Sequence, residues 1–265
     1  MTVGTRAKHA LRRAAEWERK KLGISTIMPA SVQRRLRKMI RKRMLPEGRR
    51  FLPVDGAVEF FQVLQAKGTC YVVIRWFESL PDQHHGDIDF LVGDDGLADF
   101  EALLDRNPSG IPCDVYAESG MPGFSYGGIP YYTPELARRI LDRRVTVAGT
   151  VAAPCPEDHF LSLAYHCVYR KGPDSGLPTS HRLVRPVSTP KHDYHGTLTA
   201  LARKLGLRIA IDMESLDQFL GEQGWRPPAS ILQQLAADNL WIHYQFGADG
   251  RAGPQAEALA GMGAH

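Results

Sequence analysis

The chain has 265 residues, of which 43% are hydrophobic and 23% are charged. This balance is typical of a globular protein that buries a core, and it excludes collagen-like chains and highly charged disordered chains. The net charge of +4 is distributed unevenly, because residues 1–50 hold sixteen Lys and Arg against three Asp and Glu, which leaves a net charge of −9 for the remainder.

The first predicted element is a basic N-terminal arm over residues 1–50. Apolar residues recur at helical spacing within Ala7–Lys21 and Ser31–Met44, which predicts two short cationic helices. Three interpretations of the arm stay open: contact with an anionic membrane surface through residues 6–50, RNA binding, or packing on the acidic remainder of the chain. Trp17 is the arm's only aromatic side chain for stacking on bases, so RNA is the less favoured partner.

Residues 51–152 are predicted to form an α/β core with a small mixed sheet. Helical spacing of apolar residues alternates here with short segments rich in β-branched and aromatic residues. In chain order the predicted elements are a helix at Asp55–Lys67, a strand at Thr69–Phe77, a strand at Gly86–Val92, a helix at Leu97–Leu104, a strand at Gly110–Tyr116, a helix at Pro134–Leu141 and a hairpin at Arg144–Val151.

A helical C-terminal region is predicted over residues 153–246, followed by a disordered tail at 247–265. Its helices are expected at Pro156–Lys171, Tyr194–Leu205, Asp212–Glu222 and Pro228–Tyr244. The segment Gly172–Pro190 is rich in Pro, Ser and Gly, which predicts a mobile loop. The expected fold class is therefore α+β, with a basic helical arm, a small mixed sheet and a helical C-terminal region.

The four cysteines, Cys70, Cys113, Cys155 and Cys167, show neither a C-x-x-C pair nor the spacing of a zinc site. This pattern indicates free thiols in a reducing compartment. No apolar run is long enough to serve as a signal peptide or a membrane span. We therefore expect a cytoplasmic protein, with peripheral contact at the inner membrane surface if the arm binds there.

Three aspartates on predicted strands carry the strongest functional signal. Asp87 and Asp89 are two residues apart, so a strand would project both carboxylates from one face while Ile88 faces the core. Asp114 occurs in the next predicted strand. Adjacent carboxylates repel one another unless a cation lies between them, and oxygen ligands favour Mg²⁺ or Mn²⁺. The pattern predicts a metal site; the alternative is that all three are turn and surface residues.

The stretch from Val72 to Tyr116 resembles the nucleotidyltransferase superfamily, which has a DNA polymerase beta-like fold. Its pattern is a strand and a Gly-Gly or Gly-Ser turn, then an Asp-h-Asp strand, in which h is hydrophobic, and a later strand Asp. The resemblance implies that Asp87 and Asp89 hold the metal and that Asp114 helps to activate the attacking hydroxyl. This chain lacks the Gly-Ser motif and has Arg75-Trp76 at that spacing.

Arg75 has two interpretations. It could replace the missing phosphate cradle with guanidinium donors, or it could form a structural ion pair with Glu78 or with the aspartates. Lys171, at the end of a predicted helix, is a second candidate contact for a nucleotide, whereas His166 on the same helix is interpreted as a packed histidine. A mixed metal site that includes His84 and His85 is disfavoured, because adjacent loop residues usually point in different directions.

The resemblance implies a Mg²⁺- or Mn²⁺-dependent nucleotidyl- or phosphoryl-transferase that uses a nucleoside triphosphate. The expected acceptor is a hydroxyl group of a small molecule or glycan, as in cell-surface polysaccharide assembly. One alternative is a nucleotidyltransferase that acts on RNA, on a protein or on an antibiotic. The other is a catalytically inactive nucleotidyltransferase-like binding module.

Overall fold

The structure is a computed structural model that describes residues 50–52, 56–84, 86–104 and 110–247. The chain divides into two units, Met1–Leu45 and Pro46–His265, and every described residue belongs to the second. The predicted basic arm, apart from its last residue, and the predicted tail after residue 247 lie outside the described residues. Within the described part, no helix combines the length and the apolar character needed to cross a membrane.

A four-stranded mixed sheet forms the centre of the described unit. Its strands are β1 (Arg50–Leu52), β2 (Tyr71–Val73), β3 (Ile88–Val92) and β4 (Ile111–Ala117), arranged in the order β1-β4-β3-β2. Strands β3 and β4 are parallel, whereas β1 pairs with β4 and β2 pairs with β3 in antiparallel fashion. Helix α2 (Leu97–Ala102) lies in the connection between the two parallel strands. The predicted mixture of helices and a small sheet is confirmed at this level.

One face of the sheet is buried under an aromatic cluster. Helix α1 (Ala57–Ala66) contributes Phe60, whose ring packs edge-on against Phe90 of β3 and Phe100 of α2, with centroids 6.0 and 5.6 Å apart. Ile88 points to the same side and is buried, as its alternation with the neighbouring aspartates predicts. These contacts fix the register of β3, because a slip of one residue would turn its aspartate into this apolar layer.

The opposite face of the sheet packs against the C-terminal part of the chain. Leu91 of β3 and Tyr116 of β4 belong to the same buried cluster as the helices that follow residue 130. Because residues alternate between the two faces of a strand, Asp89 and Asp114 lie on this second face. The predicted carboxylates are therefore placed between the sheet and the helical region.

Helix α3 (Pro134–Asp142) and a two-stranded hairpin follow the sheet. Thr133 caps α3 by accepting a hydrogen bond from the Leu136 amide, and Pro134 occupies the first turn. The hairpin consists of β5 (Val145–Val147) and β6 (Val151–Ala153). Both elements agree with the sequence prediction.

The C-terminal region is helical, as predicted. Helix α4 (Pro156–Tyr165) continues without a break into a π-helix at His166–Lys171, where each turn is one residue wider than in an α-helix. Gly172 ends the π-helix with a φ of 55°, a backbone conformation that side chains disfavour. The predicted helix over Pro156–Lys171 thus exists, but its last six residues have the wider winding.

Four more helices complete the fold: α5 (Tyr194–Leu205), α6 (Met213–Glu222), α7 (Ala229–Leu235) and α8 (Leu240–Phe246). The prediction of one helix over Pro228–Tyr244 is wrong, because α7 and α8 are separate. The buried Asn239 side chain accepts hydrogen bonds from the first amides of α8 and donates one to the carbonyl of Val168. Such a cap begins a new helix, so the earlier one ends before it.

The segment between the π-helix and α5 packs against the domain. It begins with a 3₁₀ turn at Gly172–Ser175 and has little regular structure afterwards. Leu177 and Val184 are nevertheless buried in the core. The prediction of a mobile loop over Gly172–Pro190 therefore differs from the structure, since two apolar side chains anchor the segment along its length.

Candidate functional site

The three predicted aspartates come together at the start of the parallel strand pair. The register pairs Asp89 of β3 with Asp114 of β4, and residues paired in this way project from the same face of a sheet. Asp87 lies one residue before β3. The charges of both Asp114 and Asp87 act on Asp89, because each raises the pKa of its carboxyl group.

The three carboxylates differ in their exposure. Asp87 and Asp114 are exposed, whereas Asp89 is only 6% exposed. Burial raises the pKa of Asp89 to about 6; the Arg75 charge opposes this shift, and the two neighbouring aspartates add to it. Asp89 is therefore the carboxylate that depends most on a neighbouring cation.

Arg75 supplies that cation. Its Nη2 lies 2.8 Å from Oδ2 of Asp89, and both side chains are almost completely buried. Burial is the largest influence and would lower the pKa of Arg75, but the charge of Asp89 and the nearby Tyr131, Tyr132 and Tyr116 together hold that pKa well above its usual value. Of the two interpretations of Arg75, the ion pair with an aspartate is present, and contact with a phosphate stays a prediction. Glu78 is not the partner in this ion pair.

Trp76, next to Arg75, has an unusual backbone conformation. Its φ of 57° lies in the left-handed region, which costs a residue other than glycine about 1–2 kcal/mol. The indole ring stacks on the imidazole of His192, with centroids 4.3 Å apart and an angle of 17° between the planes. This stacking helps to hold the strained turn that carries Arg75 toward Asp89.

Lys191 binds the outermost carboxylate. Its Nζ lies 2.8 Å from Oδ1 of Asp87, and both side chains are largely exposed. Partial burial acts to raise the pKa of Asp87, but the hydrogen bond and charge of Lys191, a backbone hydrogen bond and the charge of Arg75 together lower it. Sequence analysis missed Lys191 because the two residues are 104 positions apart. The available signal was the Lys191-His192 pair, which lies one residue before the predicted helix at Tyr194.

Lys171 is placed near the same carboxylates. It is the last residue of the π-helix, and its charge lowers the pKa of Asp89 and of the imidazole of His192. Of the two predicted cations, Arg75 is paired with Asp89, and the charge of Lys171 also acts on that carboxylate. Their roles toward a nucleotide stay predictions.

His166 is buried at the start of the π-helix, as its interpretation as a packed histidine implies. Its Nδ1 forms a short hydrogen bond with the hydroxyl of Tyr131, while its Nε2 has no hydrogen-bond partner among the described residues. Burial and then the charges of Arg75 and Lys171 hold the pKa of His166 well below its usual value. The histidine is therefore neutral and lies beside the carboxylate site.

The carboxylates match a hard divalent cation in their chemistry, since all three offer oxygen ligands. In the described part of the chain, no group of three His, Cys, Asp or Glu side chains is arranged as a ready metal site. Asp89 and Asp87 are instead engaged by cations, and only the exposed Lys191 is easily displaced. His84 is exposed and His85 lies outside the described residues, so the disfavoured mixed site gains no support.

Comparisons of the chain with models of known protein families, with curated proteins and with solved structures give no match. The resemblance to the nucleotidyltransferase superfamily therefore stays a prediction from the Asp-Ile-Asp pattern and the later aspartate. The geometry adds the pairing of Asp89 with Asp114 and the ion pairs of Arg75 with Asp89 and of Lys191 with Asp87.

Proposed function

We propose that the chain is a metal-dependent nucleotidyl- or phosphoryl-transferase that acts on a hydroxyl group of a small molecule or glycan. The observation that carries the proposal is the pairing of Asp89 with Asp114 in register on parallel strands, with Asp87 two residues before Asp89 and its charge acting on that carboxylate. Carboxylates that are gathered at two neighbouring strands offer the oxygen ligands of a hard divalent ion, which can assist phosphoryl transfer. The donor would be a nucleoside triphosphate.

The charges around the carboxylates suit a phosphorylated substrate. Arg75 contacts Asp89, Lys191 contacts Asp87 and the charge of Lys171 acts on Asp89, so cations for phosphate oxygens accompany the ligands for a metal. Mg²⁺ or Mn²⁺, when bound by the aspartates, would neutralise charge on the transferred group. Lys191 would leave its aspartate on metal binding and become available to the phosphate chain.

Within this proposal, the two strand aspartates have different tasks. Asp114 is exposed, so an acceptor hydroxyl can reach it and give up its proton there. Asp89 is buried and fixed by Arg75, so it keeps the geometry of the site. The stacked rings of Trp76 and His192 beside the site offer an apolar face of the kind on which a sugar or a base can pack.

A panel of nucleoside triphosphates tests the proposal. Each triphosphate would be incubated with Mg²⁺ or Mn²⁺ and a set of sugar and small-molecule alcohols, and the release of pyrophosphate or nucleoside diphosphate would be measured. We expect metal-dependent turnover by the wild type and its loss in Asp114→Asn, with unchanged circular dichroism. Turnover that persists in Asp114→Asn, or that ignores chelation of the metal, would count against the assigned site.

A second candidate is a catalytically inactive nucleotidyltransferase-like binding module. It is favoured by one observation, the buried Arg75–Asp89 ion pair, because a carboxylate engaged by an arginine is a poor metal ligand. Nucleotide binding that is equal with and without metal, together with absence of turnover across the panel, would support this candidate.

A further inference from the structure

Two buried donors beside the carboxylates lack a hydrogen-bond partner within the described residues. They are Nη1 of Arg75 and Nε2 of His166, on side chains that are 9% and 3% exposed. Buried polar atoms in folded proteins are almost always paired, because an unpaired donor forfeits its hydration without compensation. An acceptor from outside the chain, bound beside the carboxylates, would pair both of these donors.

Both donors belong to side chains that border Tyr131. The guanidinium carbon of Arg75 lies 5.6 Å from the centre of the Tyr131 ring, and the His166 ring stacks on the same tyrosine at 6.2 Å. The charges of Arg75 and Lys171 both act on His166. Arg75 and His166 thus both lie next to Tyr131, and the charge of Lys171 reaches His166.

The hydroxyl of Tyr131 decides which nitrogen of His166 carries the proton. This hydroxyl is buried, and His166 Nδ1 is its hydrogen-bond partner among the described residues. A protonated hydroxyl with one partner donates to that partner, so Nδ1 accepts and the ring proton is on Nε2. The unpaired Nε2 is consequently a donor, like the unpaired Nη1 of Arg75.

We infer that Arg75, His166 and Lys171 form an oxyanion subsite that takes a phosphate group of the substrate, with His166 donating from Nε2. The inference rests on the proposed function for the class of substrate, and it adds His166 as a binding residue and Tyr131 as the residue that positions its proton. Two cations and one neutral donor complement the oxygens of a phosphate group. The wider winding of the π-helix is what brings His166 and Lys171 to the same side.

Calorimetric titration of the full chain with inorganic pyrophosphate, with and without Mg²⁺, tests the subsite. His166→Gln keeps an N–H donor near the place of Nε2, whereas His166→Asn keeps polar atoms only near Nδ1. We expect His166→Asn to weaken pyrophosphate binding about ten-fold or more, because a hydrogen bond to a charged group is lost. His166→Gln should retain affinity within about three-fold of the wild type.

His159 offers a matched control on the preceding helix. It is also buried with an unpaired Nε2, but it packs on Phe77, and the charge that acts on it is that of Lys204. We expect His159→Asn to bind pyrophosphate like the wild type. Long-range ¹H–¹⁵N spectra provide a second readout, and they should show Nε2 protonated in the wild type and a change of tautomer in Tyr131→Phe.

The inference is overturned if a folded His166→Asn binds pyrophosphate as tightly as the wild type. It is also overturned if His159→Asn and His166→Asn lose equal affinity for pyrophosphate, or if the wild type does not bind pyrophosphate. Competition separates the sources of the phosphate: displacement by ATP indicates a nucleotide, and displacement by glucose 6-phosphate indicates a phosphorylated acceptor. Either supports the subsite. The proposed function fails separately, because Asp114→Asn is expected to abolish turnover while leaving pyrophosphate binding without metal intact.

Discussion

Replacement of Asp89 by Asn is expected to destabilise the protein strongly. The substitution keeps the shape of the side chain but leaves Arg75 as a buried cation without a counter-charge. Breaking a buried ion pair from one side costs about 3–5 kcal/mol. For a unit of this size, each kcal/mol corresponds to roughly 2–4 °C in the melting temperature, so the expected loss is about 6–20 °C.

Replacement of the partner should cost less, because a carboxyl group can take up a proton and a guanidinium cannot lose one. Burial already raises the pKa of Asp89 to about 6 with Arg75 in place. In Arg75→Met the pKa of Asp89 rises further, and the folded protein holds a proton that the unfolded chain releases. The stability of this variant therefore falls as pH rises from about 4 through the raised pKa, and it is closest to wild type in acid.

Urea unfolding at pH 5 and pH 8 measures these differences in the free energy of unfolding. The proteins compared are the wild type, both single variants and the double variant Arg75→Met/Asp89→Leu. The double variant removes both charges and should be more stable than Asp89→Asn, since no charge is left buried alone. A folded Asp89→Asn with the unfolding midpoint of the wild type would refute the reasoning. So would an Arg75→Met variant whose stability is independent of pH relative to the wild type.

Three other substitutions test parts of the structure. Burial lowers the pKa of His159 to about 4, so the free energy of unfolding of the wild type should fall by about 3 kcal/mol as the pH falls from 6.5 to 4. His159→Phe should lack this fall, and urea unfolding at both pH values measures the difference. Lys191→Ala should change stability by less than about 1 kcal/mol, since its ion pair with Asp87 is exposed, yet tighten Mn²⁺ binding in a calorimetric titration. Gly172→Ala should cost about 2 kcal/mol or more in urea unfolding, because φ is positive and the new methyl group meets the Asn239 side chain.

The glycine prediction has a control in Gly206→Ala. Gly206 also has a positive φ, but no heavy atom lies within 4 Å of an added methyl group, so only the backbone cost of about 1–2 kcal/mol applies. Equal losses for the two alanine variants would contradict the packing of Gly172. For Lys191→Ala, weaker Mn²⁺ binding would contradict the view that this lysine competes with the metal.

Most strands and helices could be predicted because their signals are local, whereas the short strand β1 (Arg50–Leu52) was not predicted. The alternation of Asp87, Ile88 and Asp89 gave both the strand and the face on which the carboxylates lie, since the period of a strand is two. Helix α5 was predicted at its observed bounds, Tyr194–Leu205. The break at Asn239 was missed because the polar cap depends on a distant carbonyl, that of Val168.

The site was predictable only in part, because contacts between residues far apart in the chain leave no local signal in the sequence. The three aspartates are marked by the strand pattern, but Lys191 reaches Asp87 through the tertiary fold and carries no local mark. His166 looks like any histidine on a packed helix, and its unpaired nitrogen becomes visible only with Tyr131 in place. Sequence therefore indicates the three aspartates and the cations Arg75 and Lys171, and the fold adds Lys191 and the unpaired nitrogen of His166.

Binding of Mn²⁺ in the presence of a nucleoside triphosphate, followed by electron paramagnetic resonance, tests the central claim most directly. Asp114→Asn should reduce the affinity for Mn²⁺ by at least about ten-fold, because a ligand beside Asp89 is lost. Asp95→Asn, an exposed aspartate beyond the far end of β3, should bind like the wild type. Equal Mn²⁺ affinity in the wild type and in a folded Asp114→Asn would contradict a metal site at these three aspartates.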